Sequence, residues 1–108
     1  MDVFEAVQER RSIRAYQDKP VPREILEKIL EAARLAPSAR NAEPWHFIAV
    51  TSSEKRKALS GGRFAKFLTQ TPIVIVACGD KEASPDWYAI DVALAVENMV
   101  LTATNEGL

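Results

Sequence analysis

DWYAIDVALAVENMVLTATNE, residues 86–106, decides how the chain can fold. It reads as one long helix. Ile90, Val92, Ala93, Leu94, Ala95, Val96, Met99, Val100, Leu101 and Ala103 run nearly all the way round it. A helix that is apolar on every side has to be covered on every side. Gly107 follows it, and glycine just past a helix is the usual stop signal. The elements before it are too few to cover both of its faces, so the expected cover is a second copy of the chain or further residues.

Working back from that helix, IVIVA at residues 73–77 is the clearest strand. It is apolar on both faces, which predicts a place in the middle of a sheet. His46–Thr51 is a second strand candidate through Phe47, Ile48 and Val50. Between them, residues 54–59 and the segment around Phe64, Phe67 and Leu68 suggest short helices, broken at Gly61-Gly62. Pro22 suits the first turn of a helix over 23–35. There Ile25, Leu26, Ile29, Leu30 and Ala33 keep the three-to-four spacing of an amphipathic face, and Pro37 ends it. Residues 2–11 form a first helix, with Asp2 as its cap and Val3, Phe4 and Val7 on one face. Pro20 and Pro22 leave 12–22 as a connector.

At 108 residues the chain is a single domain. Apolar residues at 47% and charged ones at 27% exclude a disordered or membrane-embedded class. Fourteen basic against fifteen acidic side chains give a net charge of −1, so no overall field draws in nucleic acid or an acidic lipid surface. The longest apolar run, 72–79, is far too short to span a bilayer, and MDVFEAVQERR lacks the build of a secretory leader. One cysteine, Cys78, forms no internal disulfide and reads as a core thiol. Together these point to the cytoplasm. His46 is the single histidine and has no ligand set at metal spacing, so no metal is expected.

Two short stretches carry chemistry. In Arg10-Arg11-Ser12-Ile13-Arg14, two guanidinium groups four residues apart bracket a hydroxyl at a helix exit. Forked guanidinium donors match phosphate oxygens. Taken alone, the stretch reads more simply as basic residues facing water at a helix end. In Ala36-Pro37-Ser38-Ala39-Arg40-Asn41-Ala42-Glu43-Pro44-Trp45, two prolines bound a short polar loop. Asn41 can donate and accept at once, which suits the edge of a heterocycle. Alone, this is also an ordinary helix stop followed by turn residues.

Together, RRSIR, the PVPREILEKILEAARLAPS helix, APSARNAEPWHF and DVALAVENMVLTATNEGL resemble the nitroreductase family of FMN enzymes, in order and spacing, over essentially all of residues 1–108. The resemblance implies an α+β fold: a mixed sheet flanked by helices, with the long helix central to a homodimer. It implies that Arg10 and Ser12 hold the FMN phosphate and that Arg14 sits at the pyrimidine edge of the flavin. A fixed cation there favours the reduced ring, where negative charge gathers. Pro37, Ser38, Ala39 and Asn41 would touch the flavin from the partner subunit, so two chains build one site. Trp45 and Phe47 also match the family and read as core.

The implied activity is ping-pong reduction of a small acceptor, such as a nitroaromatic or a quinone, with NAD(P)H as reductant. FMN does the chemistry, and no side chain is expected to be catalytic. Two departures stand out. Glu43 replaces a common glutamine, and an ionised carboxylate cannot donate. The chain is also shorter than the family, whose carboxyl-terminal part is expected to be missing. The alternative expectation is therefore a truncated, non-catalytic flavin-binding or dimerisation module. The sequence selects neither NADH nor NADPH and does not name the acceptor.

Overall fold

The computed structural model describes residues 1–108. Its order is α1 (Val3–Glu9), α2 (Arg23–Arg34), a 3₁₀ turn (Ala39–Asn41), β1 (Trp45–Val50), α3 (Ser53–Leu59), a second 3₁₀ turn (Lys66–Thr69), β2 (Val74–Gly79) and α4 (Tyr88–Asn105). No helix is long and apolar enough to cross a membrane.

Asp2 caps α1. Its side chain accepts from the Glu5 amide at 2.8 Å while the Glu5 carboxylate accepts from the Asp2 amide, a reciprocal capping box. The helix stops at Glu9, two residues short of the sequence expectation. Its buried residue is Ala6, whereas Val3 and Phe4 are 77% and 69% exposed and Val7 is exposed as well. The apolar face that these three residues share therefore points away from the body of this chain.

The core lies where α2 crosses α4. Ile29, Ala33 and Ala36 meet Ala95 and Met99, with Trp45 of β1 closing the cluster; Pro44, next to Trp45 in sequence, is fully buried. Ala33 and Ala95 have no exposed surface. Small side chains at a helix contact let the two backbones approach closely. The Asn98 amide fixes the crossing by donating to the Ala32 carbonyl at 3.0 Å.

On α4, Asp91, Ala95 and Met99 form the buried stripe. Trp87, Ile90 and Leu94 follow a second three-to-four stripe, and all three are exposed. The helix apolar all round is thus covered on one side only. Gly107 ends it at φ +80°, the left-handed conformation a terminating glycine supplies.

β1 and β2 pair antiparallel, from Trp45 opposite Gly79 to Val50 opposite Val74. The expectation of a central, two-sidedly buried strand does not hold for β2. It pairs with β1 alone, its residues are half-buried or exposed, and Cys78 is half-buried and not a core thiol. A methyl group at Gly79 would lie 2.8 Å from the Tyr88 ring and 3.2 Å from Val92. Only glycine there lets the start of α4 rest on the sheet. Just 11 of 108 residues are buried, and the Cα radius of gyration is 14.4 Å. A compact chain of this length has about 13 Å, so much apolar surface stays uncovered.

Candidate functional site

The first candidate segment begins where α1 ends. Arg10 leaves the helix at φ −55° and ψ 133°. Its Nε lies 4.0 Å from Glu97 Oε1 on α4, and both side chains are largely open to solvent. Such a pair contributes about 0–1 kcal/mol, which leaves Arg10 able to turn to a stronger anion. Ser12 is exposed and its hydroxyl makes no hydrogen bond within the chain. Arg14 lies over the Phe67 ring, 5.8 Å from its centroid. Tyr16 stacks on the same ring at 6.1 Å and 17° and donates its hydroxyl to the Ile13 carbonyl at 2.8 Å. A segment without regular structure is thus shaped by one aromatic platform. The sequence offers Phe67 only as one apolar residue of a short helix, with no sign of its contacts to Arg14 and Tyr16.

The second segment is tightly specified. Ser38 accepts twice, its carbonyl from the Asn41 amide at 3.0 Å and its hydroxyl from the Glu43 amide at 3.0 Å. The Ala42 amide donates to the Ala39 carbonyl at 3.1 Å. Arg40 and Asn41 both have φ 55°, and Glu43 has φ 47°. Left-handed backbone is costly for side chains other than glycine, asparagine and aspartate, so the surroundings hold this loop in place. Part of that hold comes from Asp91 on α4. Its Oδ1 accepts from the Ala39 amide at 3.2 Å, while its Oδ2 is buried without a partner. The Asn41 side chain is exposed with no internal partner.

Glu43, the departure from the family pattern, acts electrostatically on Arg34 at the end of α2. Arg34 forks onto Glu31 at 2.6 and 2.8 Å. That hydrogen bond, more than bare charge, pulls the Glu31 carboxyl below its ordinary value. It likewise raises the Arg34 guanidinium, to which Glu43 adds a smaller share.

No hydrogen bond, ion pair or ring contact joins residues 10–14 to residues 37–41. Both segments are tethered to α4, at Glu97 and Asp91 respectively. Those positions are six residues apart, about 9 Å along the axis and about 120° around it. Glu97 continues the exposed Trp87–Ile90–Leu94 stripe, whereas Asp91 belongs to the buried one. One chain therefore presents the two candidate halves on different sides of α4. Two open hollows, about 500 and about 470 Å³, lie elsewhere and are lined by none of Arg10, Ser12, Arg14 or Asn41. They are shallow surface depressions.

Residues 7–62, just over half of the chain, match the nitroreductase family. A candidate NADH dehydrogenase/NAD(P)H nitroreductase of Methanothermobacter thermautotrophicus is 40% identical over the whole of this chain, which covers 58% of that protein. A solved candidate NADH dehydrogenase/NAD(P)H nitroreductase from Parabacteroides distasonis superposes with a TM-score of 0.94 at 36% identity, over 97% of this chain and 63% of its own. An FMN-dependent nitroreductase from Clostridium difficile gives 0.88 at 39% identity, over 96% and 61%. The chain spans about three fifths of the length of these relatives.

Proposed function

Because the chain belongs to the nitroreductase family and shares its fold, we propose that it is the amino-terminal portion of an FMN-dependent oxidoreductase. In this reading the enzyme uses NAD(P)H to reduce nitroaromatics, quinones or related small acceptors by a ping-pong mechanism, as a homodimer. FMN, when bound, supplies the two-electron exchange between reductant and acceptor.

The donor set fits FMN. Arg10 has only a loose partner, and Ser12 has none. Two such donors on a short exposed stretch can grip a phosphate with charge-assisted hydrogen bonds. Arg14, braced on Phe67, can place a fixed cation at the pyrimidine edge. There it favours the ring that carries the extra electron density. Pro37, Ser38, Ala39 and Asn41 form the preshaped wall, with the free Asn41 amide able to donate and accept.

The observation that carries the reading is the placement of these halves on two sides of α4. Arg10 borders the exposed Trp87–Ile90–Leu94 stripe through Glu97. A second copy laid on that stripe would bring its own 37–41 loop toward the first chain's arginines. The site would then be shared between subunits, which is economical for a symmetric dimer.

The test is an anaerobic spectrum of the purified chain with FMN, before and after NAD(P)H, alongside its mass in solution. Bound flavin bands that bleach, on a dimer, are expected. Bands that persist after NAD(P)H would instead mark a non-catalytic flavin-binding module. A chain that retains no FMN at all would overturn the reading for these 108 residues.

A further inference from the structure

Asp91 is 3% exposed, lies in the first turn of α4, and uses one oxygen while the other stands idle. No arginine, lysine or histidine is paired with it in the ion pairs of the structure. Its one partner, the Ala39 amide, is fifty-two residues away in sequence. The other bonded amides of the loop, at Asn41, Ala42 and Glu43, are satisfied by the loop itself, and the Arg40 amide has no partner. Among residues 37–43, Asp91 therefore supplies the one hydrogen bond from a distant part of the molecule, directly before two residues at φ 55°, while Pro44 just beyond them accepts from the Asp80 amide. Strained backbone persists only where its surroundings over-determine it.

We propose that Asp91 is the latch of the Pro37–Asn41 loop, a positioning residue that fixes the loop's shape from α4 by accepting the Ala39 amide. Its relevance to flavin rests on the function proposed above, whereas the latch itself does not. The work is done by one acceptor oxygen and needs no charge. The idle Oδ2 has no donor to lose, so asparagine can do the same work with its own oxygen toward Ala39. Asp91→Asn removes a buried carboxylate but sets an unpartnered NH2 where Oδ2 stands, two opposing costs, so it should melt close to the wild type.

Amide hydrogen exchange on the full chain without ligand is the direct test. In the wild type, the Ala39 amide should exchange more slowly than the unbonded Arg40 amide. Asp91→Ala should speed exchange at Ala39 by about two- to ten-fold, the usual weight of a hydrogen bond, while the β1–β2 amides stay unchanged. Asp91→Asn should restore protection. Met99→Ala, which thins the same helix contact without touching the loop, controls for plain loss of stability.

Three results would overturn the latch: Ala39 exchanging as fast as Arg40 in the wild type, Met99→Ala exposing Ala39 as much as Asp91→Ala, or Asp91→Asn failing to rescue. The first needs no variant, so it decides the matter even if Asp91→Ala does not fold. FMN titration of the same proteins separates the two proposals. Weaker binding in Asp91→Ala alone supports both, while a wild type that binds no FMN yet shows the latch signature sinks only the flavin reading.

Discussion

Between Ser38 and Glu43, four of six amides or carbonyl pairs close within the loop or onto Asp91, and three side-chain-bearing residues sit at positive φ. Between Ser12 and Tyr16 the chain makes one internal hydrogen bond, from the Tyr16 hydroxyl to Ile13. Otherwise that segment leans on the Phe67 ring, and Arg10 just before it on a 4.0 Å ion pair. The first half is shaped by its own hydrogen bonds. The second is a row of long donors that the chain itself holds only loosely. Substitutions should therefore act on binding in one half and on folding in the other.

The largest effect expected from this contrast is on binding. Arg10→Ala should weaken FMN affinity by about 10- to 100-fold, the weight of a charge-assisted hydrogen bond to phosphate. Its melting temperature should barely move, because its exposed pair with Glu97 contributes little. Fluorescence titration at fixed ionic strength, set beside a thermal melt, checks both. A large loss of stability would mean that the Arg10–Glu97 contact is part of the fold, and the contrast would fail.

Next comes the hydrogen-bonded half. Arg40 has φ 55°, and a β-branched side chain fits that conformation worst. Arg40→Val should cost about 1–2 kcal/mol of stability, whereas Arg40→Gly should be neutral or mildly stabilising. Urea unfolding of the pair reads the difference directly. Equal midpoints for the two variants would mean that the loop relaxes freely and is not held.

The same contrast explains what could be read from the sequence. The long helix was legible because its apolar residues leave no polar face, and the structure places it at Tyr88–Asn105 within the expected bounds. Asp2, Pro22 and Gly107 announced helix ends through chemistry local to each. Periodicity shows which residues share a face but not what covers it: Val3, Phe4 and Val7 share one, and it is exposed. The β2 stretch misled for the same reason, since its apolar run says nothing of how many strands flank it. Of the site, RRSIR and the Pro37–Asn41 loop were visible as donors and turn residues. Asp91 and Phe67 were not, because each acts through a contact more than fifty residues away in sequence. No local pattern encodes such a contact.

The smallest effect belongs to the Glu31–Arg34 pair at the end of α2, just before the Pro37–Asn41 loop. It has two short hydrogen bonds, better geometry than the Asp91–Ala39 contact, yet it stands in solvent. Because Glu31 is held below its ordinary value of 4.5, the pair's contribution is fully present above that value. It fades as pH falls from there through the lowered one. The raised Arg34 works the other way, contributing fully at every pH below its ordinary range and fading only in strong alkali. Glu31→Gln should therefore leave the melting temperature at neutral pH almost unchanged, as exposed pairs usually do, and its small deficit should vanish on acidification. Ala39 exchange should not change at all in this variant. A deficit comparable to that of Asp91→Ala, or a loosened loop, would mean that the end of α2 and not α4 fixes residues 37–41. Placing the control of the loop on α4 predicts instead that a well-made surface ion pair three residues before Pro37 is silent, while a longer, buried and half-used hydrogen bond from the other side is not.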